Sequence, residues 1–160
     1  MKNILHFITW RRCMLLSIGV LLVLIVLNFY GLYSNKFYLL KPDNYIFPLL
    51  SIVHFVFLYV MWFKINEDEL TDPKMRNLEY AMYALVLVYI FKIFDTAFIL
   101  STYNDFENHI MPGTFMPIGL LMILLQAALL FLTLITFIHR KEEIGAYNFD
   151  SINENIDSWY

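Results

Sequence analysis

Four long stretches of the chain are apolar round the whole helical circumference. They run from about Cys13 to Tyr33, Tyr45 to Phe63, Tyr80 to Tyr103 and Thr114 to Ile138. None carries the polar stripe, recurring every 3.6 residues, that a surface helix of a soluble domain needs. A bilayer core of about 30 Å takes roughly 20 apolar residues in a helix. Each stretch reaches about that length, and Val20–Leu27 is unbroken aliphatic. In lipid the backbone must satisfy its own hydrogen bonds, so the stretches are expected to be helices rather than strands.

The connections between them are short. Ser34–Asn44 holds the turn formers Asn35, Pro42 and Asp43. Lys64–Glu79 is the strongly charged loop, and its Thr71-Asp72-Pro73 reads as a helix start, a cap followed by proline in the first turn. Asn104–Gly113 carries Asp105, Glu107, His109 and Pro112. Short links favour antiparallel neighbours. The expected fold is therefore an all-α integral membrane protein of four transmembrane helices in an up-down bundle. It divides into an amino-terminal flank (1–12), the membrane domain (13–139) and a tail (140–160). The first stretch has the basic flank of a signal peptide (Lys2, Arg11, Arg12), but it is long enough to span. Asn28-Phe29-Tyr30 is no small-residue cleavage site, so a retained anchor is expected.

Composition supports this reading. Of the 160 residues 60% are hydrophobic and only 16% charged, against about 45–50% and 25% in soluble domains. Mean hydropathy is +0.61. The balance excludes disorder and a nucleic-acid binder built on a basic face. A single cysteine, Cys13, allows no internal disulfide, and no residue cluster suggests a metal site. No cofactor motif or catalytic constellation stands out, so a non-enzymatic role is expected.

Charge sets an expected orientation, because basic residues mark the cytoplasmic side. Lys2, Arg11, Arg12, Lys64, Lys74, Arg76, Arg140 and Lys141 fall on one side. Lys36 and Lys41 fall on the other. Both termini are then cytoplasmic, in agreement with an even number of spans. Trp10, Tyr30, Tyr33, Trp62, Tyr80 and Tyr103 lie near span ends, where such rings settle at headgroup depth. Usage of Phe, Ile, Asn and Lys suggests a low-GC bacterium, hence a bacterial cytoplasmic (inner) membrane.

Candidate chemistry lies in the polar residues within the spans. Lys92 and Asp95 stand three residues apart on one face of the third span, where a charge at the bilayer centre costs about 2.5–3.5 kcal/mol. By helical rise they lie roughly 12 and 8 Å below the outer boundary. Lys92 side chains lean toward the amino end, away from that surface, so pairing with Asp95 is expected to replace snorkelling. Asn28, Ser51 and His54 fall at comparable depth, with Gln126 beneath them, at roughly 18 Å. These six form a candidate polar cluster, either structural or ligand-binding. One mid-span histidine does not make a haem site.

The tail beyond Ile144 is acidic and aromatic, with Phe149, Ile152, Ile156, Trp159 and Tyr160 as candidate anchors for a partner. Two functions are expected from these features. The first is an accessory or scaffolding subunit that joins another membrane protein or a second copy of itself. The alternative is a small transporter or a ligand- or proton-binding bundle that uses Lys92, Asp95 and His54.

Overall fold

A computed structural model describes residues 8–104 and 111–147. It holds four helices long and apolar enough to cross a membrane, the make-up of a multi-pass integral membrane protein. They are α1 (Trp10–Asn28), α2 (Ile46–Asn66), α3 (Pro73–Ser101) and α4 (Phe115–Glu143).

The helix ends depart from the bounds of the apolar runs in several places, and the start of α3 at Pro73 follows the Thr71-Asp72-Pro73 signal. α1 stops at Asn28, five residues before Tyr33. Beyond it a two-stranded antiparallel hairpin, β1 (Tyr30–Gly31) and β2 (Lys36–Phe37), pairs Tyr30 with Phe37 and Gly31 with Lys36. The hairpin takes over the backbone bonding, and Tyr38 N–H donates to Phe29 O at 2.8 Å. Asn35 turns the chain with φ of 53°, a left-handed conformation that asparagine tolerates. Gly31 is needed because a side chain there would collide with the Tyr38 ring. α3 begins at Pro73, seven residues before Tyr80. Asp72 caps it by accepting from Met75 N–H at 2.6 Å, and Pro73 takes a position whose N–H has no helical partner. α4 runs on past Ile138 to Glu143 and ends on Arg140 and Lys141, cations suited to a helix carboxyl end.

α3 and α4 have 29 residues each, about 43 Å of helix. That exceeds a bilayer core of about 30 Å. α4 packs against α1 and α3, and α2 packs mainly against α3. The central core is Leu21, Leu24, Phe47, Phe57, Met82 and Leu85. Cys13 is fully buried against Leu132 and Ile135 of α4, and its thiol donates to Leu132 O at 3.5 Å. It is thus a packing residue. The tail anchors Phe149, Ile152, Ile156, Trp159 and Tyr160 lie outside the described residues, as do Asp105, Glu107 and His109.

Candidate functional site

The polar residues within the helices gather at three levels. The first is a cavity of about 530 Å³ at one end of the helices, bounded by the loop from Tyr30 to Asn44. Asn28 of α1, Lys92, Asp95 and Thr96 of α3, and Gln126 of α4 all line it. Asn28 Nδ2 donates to Asn44 O and so ties α1 to the loop. Tyr33 and Thr102 share a hydroxyl–hydroxyl bond of 2.7 Å, and Tyr30 reaches Thr114 at 3.1 Å, closing the loop over α3 and α4.

Lys92 Nζ stands 3.8 Å from Asp95 Oδ2. That is charge pairing without a good hydrogen bond, which needs about 2.7–3.2 Å. Both side chains remain partly open, at 33% and 40% exposure. Among the described residues neither side chain makes a hydrogen bond. Gln126 is different. Its Nε2 donates to Thr96 Oγ1 at 3.0 Å, while its buried Oε1 has no partner.

The second level lies beneath the cavity floor of Leu24 and Phe47. There the sequence-based cluster divides. Ser51 Oγ donates to Phe47 O of its own helix at 2.8 Å and does not line this cavity. His54 is wholly buried, and its Nδ1 meets Tyr89 Oη at 2.8 Å. His54 Nε2 is buried without a partner. Ser51 and His54 are therefore separate from the group formed by Asn28, Lys92, Asp95 and Gln126. Asn28, Lys92, Asp95 and Gln126 line the cavity, and Ser51 and His54 do not.

The third level is at the opposite end and was missed by sequence reasoning. Glu79 of α3 and Arg140 of α4 form a buried ion pair, with Nε 2.8 Å from Oε2 and Nη2 donating to Oε1 at 2.8 Å. Tyr83 donates to Oε1 at 2.6 Å, and Tyr147 donates to Oε2. Arg140 also donates to Gly145 O at 3.0 Å and lies 4.4 Å above the Tyr147 ring. Burial, together with the Glu79 bond and charge, raises the Tyr147 pKa well above its ordinary value. Thr71 donates to Ala146 O, and His139 Nε2 meets Ile8 O at 2.9 Å, so three segments of the chain join here.

No protein-family model matches the chain, and no curated protein or solved structure matches it. Function must then be argued from these three sites.

Their chemistry differs. At the Glu79 site both carboxylate oxygens accept hydrogen bonds, Oε1 from Arg140 Nη2 and Tyr83 and Oε2 from Tyr147. Such a network fixes helix register. The His54–Tyr89 pair is enclosed. Of these three sites among the described residues, the cavity combines volume with paired charge. Among the described residues no three His, Cys, Asp or Glu side chains are placed to hold a metal ion.

Proposed function

We propose that this chain is a multi-pass protein of a bacterial cytoplasmic membrane that binds a small polar ligand in the cavity at its outer end. In this reading the four helices run up and down with both termini cytoplasmic. The excess of Lys and Arg at the end bearing Arg11, Lys64 and Arg140 supports that orientation. The observation that carries the binding reading is the cavity itself. At about 530 Å³ it meets Lys92, Asp95 and Gln126 together, within the size usual for ligand sites and with the few polar groups such sites use. Charged residues at membrane depth are costly and mark ligand or ion sites.

Labelling with a membrane-impermeant thiol reagent tests this reading. In a Cys13→Ala background, cysteine at Ile99 or Met122, partly exposed cavity positions, should react from the outer face of intact spheroplasts, and cysteine at His54 should not. Ile99→Cys and Met122→Cys proteins that stay unlabelled from outside would overturn both cavity and orientation.

An accessory-subunit role is the second reading, favoured by α3. Only 17% of its apolar window is buried, against 33% for α2 and α4. Leu87, Phe91, Phe94 and Phe98 stand exposed at helical spacing along it. Purification in a gentle detergent distinguishes this role. A co-purifying membrane protein supports it, and a monodisperse monomer alone rejects it.

A further inference from the structure

We propose that the cavity is built for a net-neutral zwitterion, a ligand carrying one ammonium and one acidic group close together. The inference rests on the ligand-binding reading above and names the ligand class of that same cavity. Four charged residues line it: Lys41 and Lys92, Asp43 and Asp95. Two cations and two anions leave the lining neutral. Lys41 and Asp43 stand 3.9 Å apart near its mouth and are strongly exposed, so water screens them. Lys92 and Asp95, 3.8 Å apart, are the inner pair.

Their separation decides the class. A ligand with only a negative charge on Lys92 would sit beside the Asp95 carboxylate. A ligand with only a positive charge on Asp95 would sit beside the Lys92 ammonium. Each meets repulsion within a few ångströms, in a site walled by Leu27, Ile99 and Met122. A ligand with both charges places each against its opposite. The two protein groups keep the capacity to receive it. An ammonium has three donors and a carboxylate about four acceptor positions, and among the described residues neither side chain is hydrogen-bonded. The tyrosine rings 30, 33 and 38 and the aliphatic walls suit an apolar body.

Two sources carry this chemistry: a free α-amino acid from outside, and the headgroup of a phosphatidylethanolamine lipid. The test uses the full-length chain in detergent and reads ligand-dependent thermal stabilisation against four probes. These are L-leucine, leucinamide (amine only), 4-methylpentanoate (acid only) and dihexanoyl phosphatidylethanolamine. At least one zwitterion should bind, with each single-charge analogue weaker by roughly ten- to a hundredfold, the scale of one charged hydrogen bond. Whether leucine or the lipid binds assigns the source. The variants give a second measurement that a merely structural pair would not produce. Lys92→Gln should shift preference toward leucinamide, and Asp95→Asn toward 4-methylpentanoate. Single-charge probes that bind the unaltered protein as well as the zwitterions do would overturn the class. So would failure of both zwitterions, and the cavity reading would survive either result if Ile99→Cys and Met122→Cys still label from outside.

Discussion

Arg140 Nε lies 2.8 Å from Glu79 Oε2, joining α4 to α3 across 61 residues of chain, with both side chains almost fully buried. Removing one partner strands a buried charge, which costs about 3–5 kcal/mol. Glu79→Gln and Arg140→Met should each lower stability by that order, measured by denaturant unfolding in mixed micelles. Replacing both, as Glu79→Leu with Arg140→Met, should cost less than either alone, because no uncompensated charge remains. Additive losses would show that the two residues act independently.

Tyr147 hangs on the same carboxylate. Burial, chiefly, and the Glu79 bond hold its hydroxyl neutral and raise its pKa. The sign follows from linkage. The contribution is complete below the unfolded value of about 10 and is lost as pH rises through the raised folded value. An absorbance titration of phenolate, taken as unaltered protein minus Tyr147→Phe, should show one tyrosine ionising above the ordinary range. A difference curve centred near pH 10 would contradict the bond.

Much of this architecture was legible in the chain, and the reason is the bilayer. Four apolar runs of spanning length and the Thr71-Asp72-Pro73 start announced four helices. Residues 28 and 126 and the pair at 92 and 95 stood out because polar groups at that depth are rare. The helix limits were less legible. Composition alone could not say that Tyr30 and Gly31 leave α1 for a hairpin, since aromatic residues suit either state. Glu79 was read as a loop residue, although a helix starting at Pro73 already placed it on the face of Met75, Met82 and Tyr89. A carboxylate on that apolar stripe was the available signal for a buried partner. Ser51 and His54 were grouped with Lys92 by depth alone. Depth along an axis does not say which side chains share a cavity, and Ser51 and His54 do not line the one that Lys92 lines.

Gly119 sits where α4 meets Leu100 of α3. A Cβ added there would overlap the tip of the Leu100 side chain. Gly119→Val should therefore cost about 1–3 kcal/mol through overpacking. Pairing it with Leu100→Ala should recover part of the loss. The same change at Gly19, whose Cβ position faces open space, should have little effect. Melting temperatures of the variants in one detergent decide the matter, and equal losses at Gly119 and Gly19 would refute close approach of the helices.

Asp72 serves two partners at once. One oxygen caps α3 by accepting from Met75 N–H at 2.6 Å. The other lies 3.1 Å from Lys64 Nζ, which also reaches Glu69 at 3.2 Å and donates to Leu70 O. The Met75 bond is the larger cause of a lowered Asp72 pKa, and Lys64 adds to it. A lowered carboxylate pKa means that stability is fully present above the unfolded value of about 3.9. It is lost as pH falls through the folded value. Asp72→Ala should cost about 0.5–2 kcal/mol at neutral pH through loss of the cap. Asp72→Asn keeps a capping oxygen and should cost less, while removing the carboxylate's share of the acid sensitivity. Unfolding measured between neutral and strongly acid pH should therefore show a shallower decline for Asp72→Asn than for the unaltered chain. Parallel declines would place the acid sensitivity elsewhere.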